Sequence, residues 1–239
     1  MTRRRWIADE VRGNRAILTG AHADHLLYVL RVRVGQEFDI STGTKVFRGT
    51  VVAVHDHEVE FDLDGELPSL GSALNISLML AIFKFDRMEW AIEKCTELGV
   101  SRIVPVISRR TDAHLAAASA KRVERWGRIA RQASEQSRRA GPPDISAPTN
   151  LKNALMLPGS LHLVLAETEN RLLLSDYLQQ QHPQSTDLVL AIGPEGGWTN
   201  DELQLFKQAN WIPVSLGPNI LRAETAAIAA LAVVTSLLA

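Results

Sequence analysis

The chain has 239 residues, 46% of them hydrophobic and 22% charged, with a net charge of −1. That length and apolar content suffice for one large domain or two smaller ones, each with a core. The near-neutral total argues against a uniformly basic nucleic-acid binder, the single cysteine excludes an intrachain disulfide and a multi-cysteine metal site, and no apolar run follows the basic start "MTRRRWIADEVRGNR", so no signal peptide is expected and the chain reads as cytoplasmic.

Residues 1–68 read mostly as β structure. "EFDIST", "VFRGTVVAV" and "EVEFDLD" are short alternating runs broken by Gly, Asp and His. One helical stretch, "AHADHLLYVLRV", interrupts them, with Leu26, Leu27, Leu30 and Val34 spaced for one helix face. The same region is locally basic: residues 1–35 hold seven arginines against Asp9, Glu10 and Asp24. "GELPSLGSA" (65–73) is rich in Pro, Gly and Ser and marks a domain boundary, giving an expected small barrel over 1–68 and a second domain over 73–239.

Beyond the boundary the periodicity changes. "LNISLMLAIF" is an apolar strand, and "DRMEWAIEKCTEL" places Met88, Ala91, Ile92, Cys95 and Leu98 on one helix face. Asp86 with Glu89 reads as a capping pair and Gly99 as the stop. "RIVPVIS" is a strand. The stretch 120–139 is a helix whose apolar face carries Trp126, Ile129, Ala130 and Ala133, with Arg131 and Arg138 seven apart on one face. Residues 102–139 hold ten basic side chains against Asp112, Glu124 and Glu135, a second basic block. Then come strand "LHLVLAE", helix 170–181, strand "DLVLAIG", helix 199–209 with a Thr199–Glu202 capping box, strand "WIPVSLG" and helix 223–238. Five apolar strands alternating with five helices indicate a parallel α/β sheet. The last helix is almost wholly apolar. From Thr225 to Ala239 it measures only about 22 Å, short of a ~30 Å bilayer core, so it reads as buried and no membrane span is expected.

In such sheets ligands bind outside the carboxyl ends of the strands. Three strand exits are unusual here: "LAETEN" (165–170), "IGPEGG" (192–197) and "LGPNILRAET" (216–225). Glycines there let backbone N–H groups approach a ligand. No P-loop, G-x-G-x-x-G, G-x-S-x-G or H-E-x-x-H occurs. His22 with His25, and His55 with His57, have no further ligands nearby, so no metal site is expected. The residues alone indicate a backbone-lined pocket for a polar small molecule, on a chain with two basic blocks that suit a polyanion.

"IGPEGGWTNDEL" followed by "LGPNILRAETAAIAAL" resembles the C-terminal signature of SPOUT-class RNA methyltransferases. "KFDRMEWAIEKCTELGVSRIVPVIS", "SEQSRRAGPPDI" and "HLLYVLRVRVGQEF" are similar to motifs of one branch, the uridine-N3 methyltransferases of small-subunit (16S) ribosomal RNA, in the same order along nearly the whole chain. The resemblance implies a PUA-like RNA-binding β-barrel followed by an α/β domain with a deep trefoil knot. It also implies S-adenosyl-L-methionine as cofactor, 16S rRNA within the small ribosomal subunit as partner, and a homodimer. A methyltransferase of another RNA such as transfer RNA, or a non-catalytic ribosome-assembly factor, are the alternative readings.

On this reading Glu167, Ile192, Gly193, Glu195, Gly196, Leu216, Gly217, Leu221 and Thr225 are the expected cofactor residues. Glu195 is read as a general base, a partner for ribose hydroxyls, or a solvated loop acid. Glu224 and Thr225 open the last helix. Methylating uridine N3 removes a proton and builds negative charge on the flanking carbonyls, so a cation or aligned N–H donors are needed. Arg139 and Arg222, which lie in the family-matching motifs, are the expected catalytic cations beside Glu195. Arg3, Arg4, Arg5, Arg31, Arg33, Arg109, Arg110, Arg131 and Arg138 are expected to hold RNA phosphates. Cys95 on an apolar face reads as core.

Overall fold

The structure is a computed structural model and describes residues 5–68, 74–169, 171–181 and 187–238; Arg3 and Arg4 lie outside these. The chain divides into two units, Met1–Gly71 together with Arg131–Pro142, and Ser72–Ala130 together with Pro143–Ala239.

The first unit is built on six strands: β1 (Trp6–Ile7), β2 (Glu10–Arg12), β3 (Arg15–Thr19), β4 (Glu37–Ser41), β5 (Val46–His55) and β6 (Glu58–Leu67). Their order is β1-β4-β5-β6-β3-β2, antiparallel except where β1 runs parallel to β4. The alternation legible in "EVEFDLD" is real: Val59, Phe61 and Leu63 are buried, while Glu60 and Asp62 meet Arg15 on the other face. Register shifts at Phe47/Arg48 and Val51/Ala53 bend β5. Gly49 sits in that bend, where a Cβ would come within 2.4 Å of the Ile40 Cγ1. Residues 131–142 bear no sequence mark of a domain change, yet they are knit into this unit. Arg131 donates to the Ile7 carbonyl at 2.6 Å and to Asp9 at 2.8 Å, and the Ser41 hydroxyl donates to the Ala140 carbonyl.

The helix expected over "AHADHLLYVLRV" is shorter and of mixed type. α1 (Gly20–Asp24) continues as a π-helical stretch, His25–Val29. The Leu30 and Val32 N–H groups reach back five and six residues to His25 and Leu26. The wider turn breaks the 3.6-residue face. Leu26 is buried, but Leu30 and Val34 are 49% and 64% exposed, and Arg31 leaves the helix at φ +52°.

The second unit holds β7 (Asn75–Ala81), α2 (Phe85–Glu97), β8 (Arg102–Ile107), α3 (Ala113–Ser119), α4 (Val123–Gln136, of which 131–136 belong to the first unit), β9 (Asp144–Ile145), β10 (Thr149–Asn150), α5 (Leu151–Ala154), β11 (Leu161–Leu165), α6 (Leu174–Gln181), β12 (Asp187–Ile192), α7 (Asn200–Gln208), β13 (Ile212–Val214) and α8 (Ala223–Leu238). The sheet is parallel throughout, in the order β10-β8-β7-β12-β11-β13, with β9 beside β8. Its central strands are apolar on both faces because both are covered. Ile76, Leu78, Leu80, Leu188, Leu190 and Ile192 pack under α2 and α8, while Met79, Ala81, Val189 and Ala191 pack against Trp198, Phe206 and Trp211.

Two helix readings are corrected. The Asp86–Glu89 capping pair does not form: α2 starts at Phe85 with Lys84 at the N-cap and no side-chain cap, and Glu89 is claimed by Arg125 at 2.7 and 2.8 Å. Nor do Arg131 and Arg138 share a helix face, because α4 ends at Gln136 and Arg138 turns out at φ +60°. The Gly99 stop (φ +97°) and the Thr199–Glu202 capping box are both present. Among the described residues no helix is long and apolar enough to cross a membrane.

Candidate functional site

Register brings the three unusual exits together. β11 lies between β12 and β13, with Val164 opposite Ala191 and Leu165 opposite Val214, so the three chains leave the sheet at nearly one level. Around them is a cavity of about 260 Å³ within the second unit. Its wall takes Leu165–Thr168 from the first exit, Gly193, Pro194, Gly197 and Trp198 from the second, and Ser215–Leu221 from the third. Ala223 and Ala226 of α8 close it.

The backbone geometry explains the glycines. Gly217 holds φ +117°, a conformation that other L residues rarely adopt, and a Cβ built on it meets nothing within 4 Å, so open space lies beside its Cα. The Ser215 hydroxyl fixes it, accepting from the Gly217 N–H and donating to its carbonyl, both at 3.2 Å. In the β12 exit, Gly197 (φ +69°) closes a turn by donating to the Pro194 carbonyl at 2.8 Å. The Gly197 Cα lies beneath Glu167, whose carboxylate would be 3.1 Å from an added Cβ. Gly193 lies against the Trp198 indole, 3.2 Å from the Nε1 by the same measure. That Nε1–H is buried with no protein acceptor among the described residues.

This cradle fits a flat, polar, partly apolar ligand such as an adenosyl group. Ile192, Val214, Leu216 and Leu221 supply apolar walls, peptide groups of the exits supply donors and acceptors, and Glu167 supplies a carboxylate for hydroxyls. Of the residues expected from sequence, Glu167, Ile192, Gly193, Leu216, Gly217 and Leu221 line the cavity. Glu195, Gly196 and Thr225 are not on its wall. Glu195 accepts from Arg87 Nη1 at 2.5 Å, and Arg87 Nε lies 3.8 Å from Glu224, which is 4% exposed in the first turn of α8. Thr225 points to solvent in the same turn.

The expected cations are dispersed. Arg222 is exposed immediately before α8 and off the cavity wall. Arg139 belongs to the first unit, where burial lowers the pKa of its guanidinium. Arg5 bonds the Arg138 carbonyl, and Arg131 is paired with Asp9. Arg31 and Arg33 are exposed in the first unit. Arg109 is exposed in the second, and its N–H donates at 2.8 Å to Glu202. Arg110, read as a phosphate contact, lines the cavity and donates from Nη1 to the Gly196 carbonyl. His22 lies between Asp9 at 3.6 Å and Glu135 at 3.3 Å, and among the described residues no three metal-ligating side chains converge. Cys95 is buried and its thiol is pushed up to about 12 by desolvation.

Trp198, beside the Gly-Gly turn and the one tryptophan the sequence offers as a stacking candidate, is on the cavity wall. Sequence reasoning missed Arg87 as a clamp and Arg110 as a liner, for neither of which there is a local signal.

A family profile described as an RNA methyltransferase domain matches residues 71–235. The chain is 35% identical over 229 residues to ribosomal RNA small subunit methyltransferase E of Synechocystis, covering 92% of this chain and 73% of that protein. With the protein of the same name from Rickettsia conorii it shares 32% identity over 88% of this chain and 85% of the other. Among solved structures, the fold matches ribosomal RNA small subunit methyltransferase E from Neisseria gonorrhoeae bound to S-adenosyl methionine, with TM-score 0.86, 32% identity and 98% of both chains covered. It also matches a methyltransferase from Legionella pneumophila in complex with the same cofactor, with TM-score 0.83, 30% identity, and 98% of this chain and 96% of that one covered.

Proposed function

We infer the function from one premise, that this chain belongs to the RNA methyltransferase domain family. It is an S-adenosylmethionine-dependent methyltransferase of 16S ribosomal RNA. The observation that carries this reading is the cavity at three converging strand exits, with open space beside the Gly217 Cα. Bound there, S-adenosylmethionine supplies an electrophilic methyl group. Ile192, Leu216 and Leu221 would pack the adenine, backbone groups of the three exit loops would meet its polar edge, and Glu167 would accept from ribose hydroxyls. Trp198 offers its unpartnered Nε1–H. The Arg87–Glu195 pair holds the loop wall in place.

The finer reading is methylation of N3 of one uridine. The motifs that support it are "KFDRMEWAIEKCTELGVSRIVPVIS" and "SEQSRRAGPPDI", which resemble those of the uridine-N3 branch. We further read the first unit as the RNA-holding module, the second as a knotted SPOUT domain, and the assembly as a homodimer. α8 supports the last point: its faces away from Ala227, Ala230, Leu231 and Val234 carry mainly small and apolar side chains.

The experiment is titration calorimetry with S-adenosylmethionine, followed by mass spectrometry of nucleosides from 16S RNA incubated with enzyme and cofactor. One equivalent of cofactor per chain and a methylated uridine are expected. No heat of binding, or a methyl group on another base, would overturn the respective part.

A further inference from the structure

We propose that Arg110 is the cation that faces the acceptor base during methyl transfer. The proposal rests on the uridine-N3 reading above and adds a catalytic residue to it.

The cavity wall carries one basic and one acidic side chain among its described residues, Arg110 and Glu167. Both sit over the Gly196–Gly197 dipeptide. The Arg110 Cδ lies 3.1 Å from where a Cβ on Gly196 would stand, and the Glu167 carboxylate lies 3.1 Å from one on Gly197. So the two glycines lack side chains where two charged groups fold across the loop. Arg110 is anchored there by its Nη1 bond to the Gly196 carbonyl, and no acceptor for its remaining N–H groups occurs among the described residues.

Of the other arginines of this unit, Arg109, Arg171 and Arg222 lie off the cavity wall, and several more are engaged. Arg87 pairs with Glu195 and Glu224, Arg102 with Asp144, and Arg122 and Arg125 with Glu89. Arg110 pairs with no carboxylate within 4.0 Å among the described residues. A guanidinium that is positioned but not neutralised, at the rim of the cofactor cavity, suits a charge that appears only during reaction.

The chemistry requires such a charge. The imide N3–H of uridine loses its proton to solvent or a base. The N3 electron pair then attacks the methyl carbon, the carbon–sulfur bond breaks, and its electrons return to sulfur, leaving S-adenosylhomocysteine. As the proton leaves, negative charge spreads onto the two carbonyl oxygens that flank N3. A planar guanidinium donates to such an oxygen and lowers the pH at which the imide ionises.

The test compares wild type with Arg110→Ala, Arg110→Gln and Arg110→Lys. Gln keeps a donor for the Gly196 carbonyl and removes the charge, so it serves if Ala fails to fold. Single-turnover rates are measured at saturating RNA and cofactor, across neutral to alkaline pH, with cofactor and RNA affinities measured separately. We expect the Ala and Gln variants to lose roughly 100-fold or more in rate, with both affinities kept and Lys recovering part. Their rates should keep rising about tenfold per pH unit where the wild type has levelled, because the imide now ionises at higher pH. Unchanged rates would overturn the proposal. A weaker cofactor affinity with full rate at saturation would make Arg110 a cofactor clamp, and a weaker RNA affinity alone would make it a phosphate contact; either result overturns it. A wild-type chain that transfers no methyl group to uridine would instead overturn the underlying reading, and the proposal with it.

Discussion

Each glycine at the strand exits answers to a different neighbour. Composition shows that the turns are glycine-rich, and that much is legible in "GPEGG" and "LGPN". What each glycine makes room for depends on side chains from other strands. Gly196 accommodates the Arg110 stem and Gly197 accommodates Glu167, while Gly217 faces open space. Substitutions should therefore separate. Gly217→Ala places a Cβ residue at φ +117°, a strain of about 1–3 kcal/mol, and should weaken cofactor binding in calorimetry together with a lower melting midpoint. Gly196→Val should displace Arg110 and slow methyl transfer more than it weakens cofactor binding. A Gly196 variant that loses the cofactor while keeping its rate at saturation would contradict this assignment. Cys95 is a simpler case: with its thiol at about 12 it should resist alkylation at neutral pH in the folded chain and react once the chain is denatured. Sign also matters for stability. A thiol held neutral by burial favours the fold below its ordinary pKa, and that contribution is lost as pH rises from there through about 12.

Among elements, local signals survive only where no distant group competes for them. The Thr199–Glu202 box was legible because its partners lie three residues apart, and it is made. The Asp86–Glu89 pair has the same spacing pattern, but Glu89 is taken by Arg125 from a helix 36 residues away. The same limit hid Arg110. Its loop follows β8, and only the order β8-β7-β12 shows that it reaches the exit of β12. Glu202 shows how such links stabilise the site. It is 3% exposed and accepts from the Arg109 N–H at 2.8 Å, the Thr199 N–H at 2.8 Å and the Thr199 hydroxyl at 2.9 Å. Glu202→Gln presents an amide N–H to some of these donors and should destabilise the chain by about 1–3 kcal/mol in urea unfolding. Thr199→Ala removes only the cap and should cost about 1 kcal/mol. Equal losses for the two would mean that the Arg109 contact contributes nothing. Arg87 ties the β12 exit to the start of α8 through Glu195 and Glu224. If it acts through Glu195, Arg87→Ala and Glu195→Gln should weaken cofactor binding non-additively in a double-mutant cycle.

At the scale of the whole molecule, a net charge of −1 hides two basic blocks, and the structure sorts their arginines by what already holds them. Sequence treats every arginine in a basic run alike, because it cannot see which ones face an internal acid. Arg131 is held: it donates to Asp9 and to the Ile7 carbonyl. Arg31 and Arg33 are exposed, and neither side chain has a carboxylate partner among the described residues. RNA binding should therefore weaken with salt, and Arg31→Ala and Arg33→Ala should each reduce the slope of log affinity against log salt by about one. Arg131→Ala should leave that slope nearly intact and act on the fold instead. Burial pushes Asp9 toward its neutral form, but bonds from His22 and the Thr19 N–H and the charge of Arg131 outweigh it, so its carboxyl titrates below its ordinary value. A depressed carboxylate stabilises the fold at pH above its unfolded value, and that stability is lost as pH falls through the folded one. Without Arg131 part of the depression disappears, and the variant should be less stable at neutral pH than the wild type. The difference between the two should shrink as acid protonates Asp9 in both. Paired salt titrations and acid unfolding curves of Arg131→Ala, Arg31→Ala and wild type test this directly. A lower salt slope for Arg131→Ala with an unchanged unfolding curve would show that this arginine reaches RNA after all.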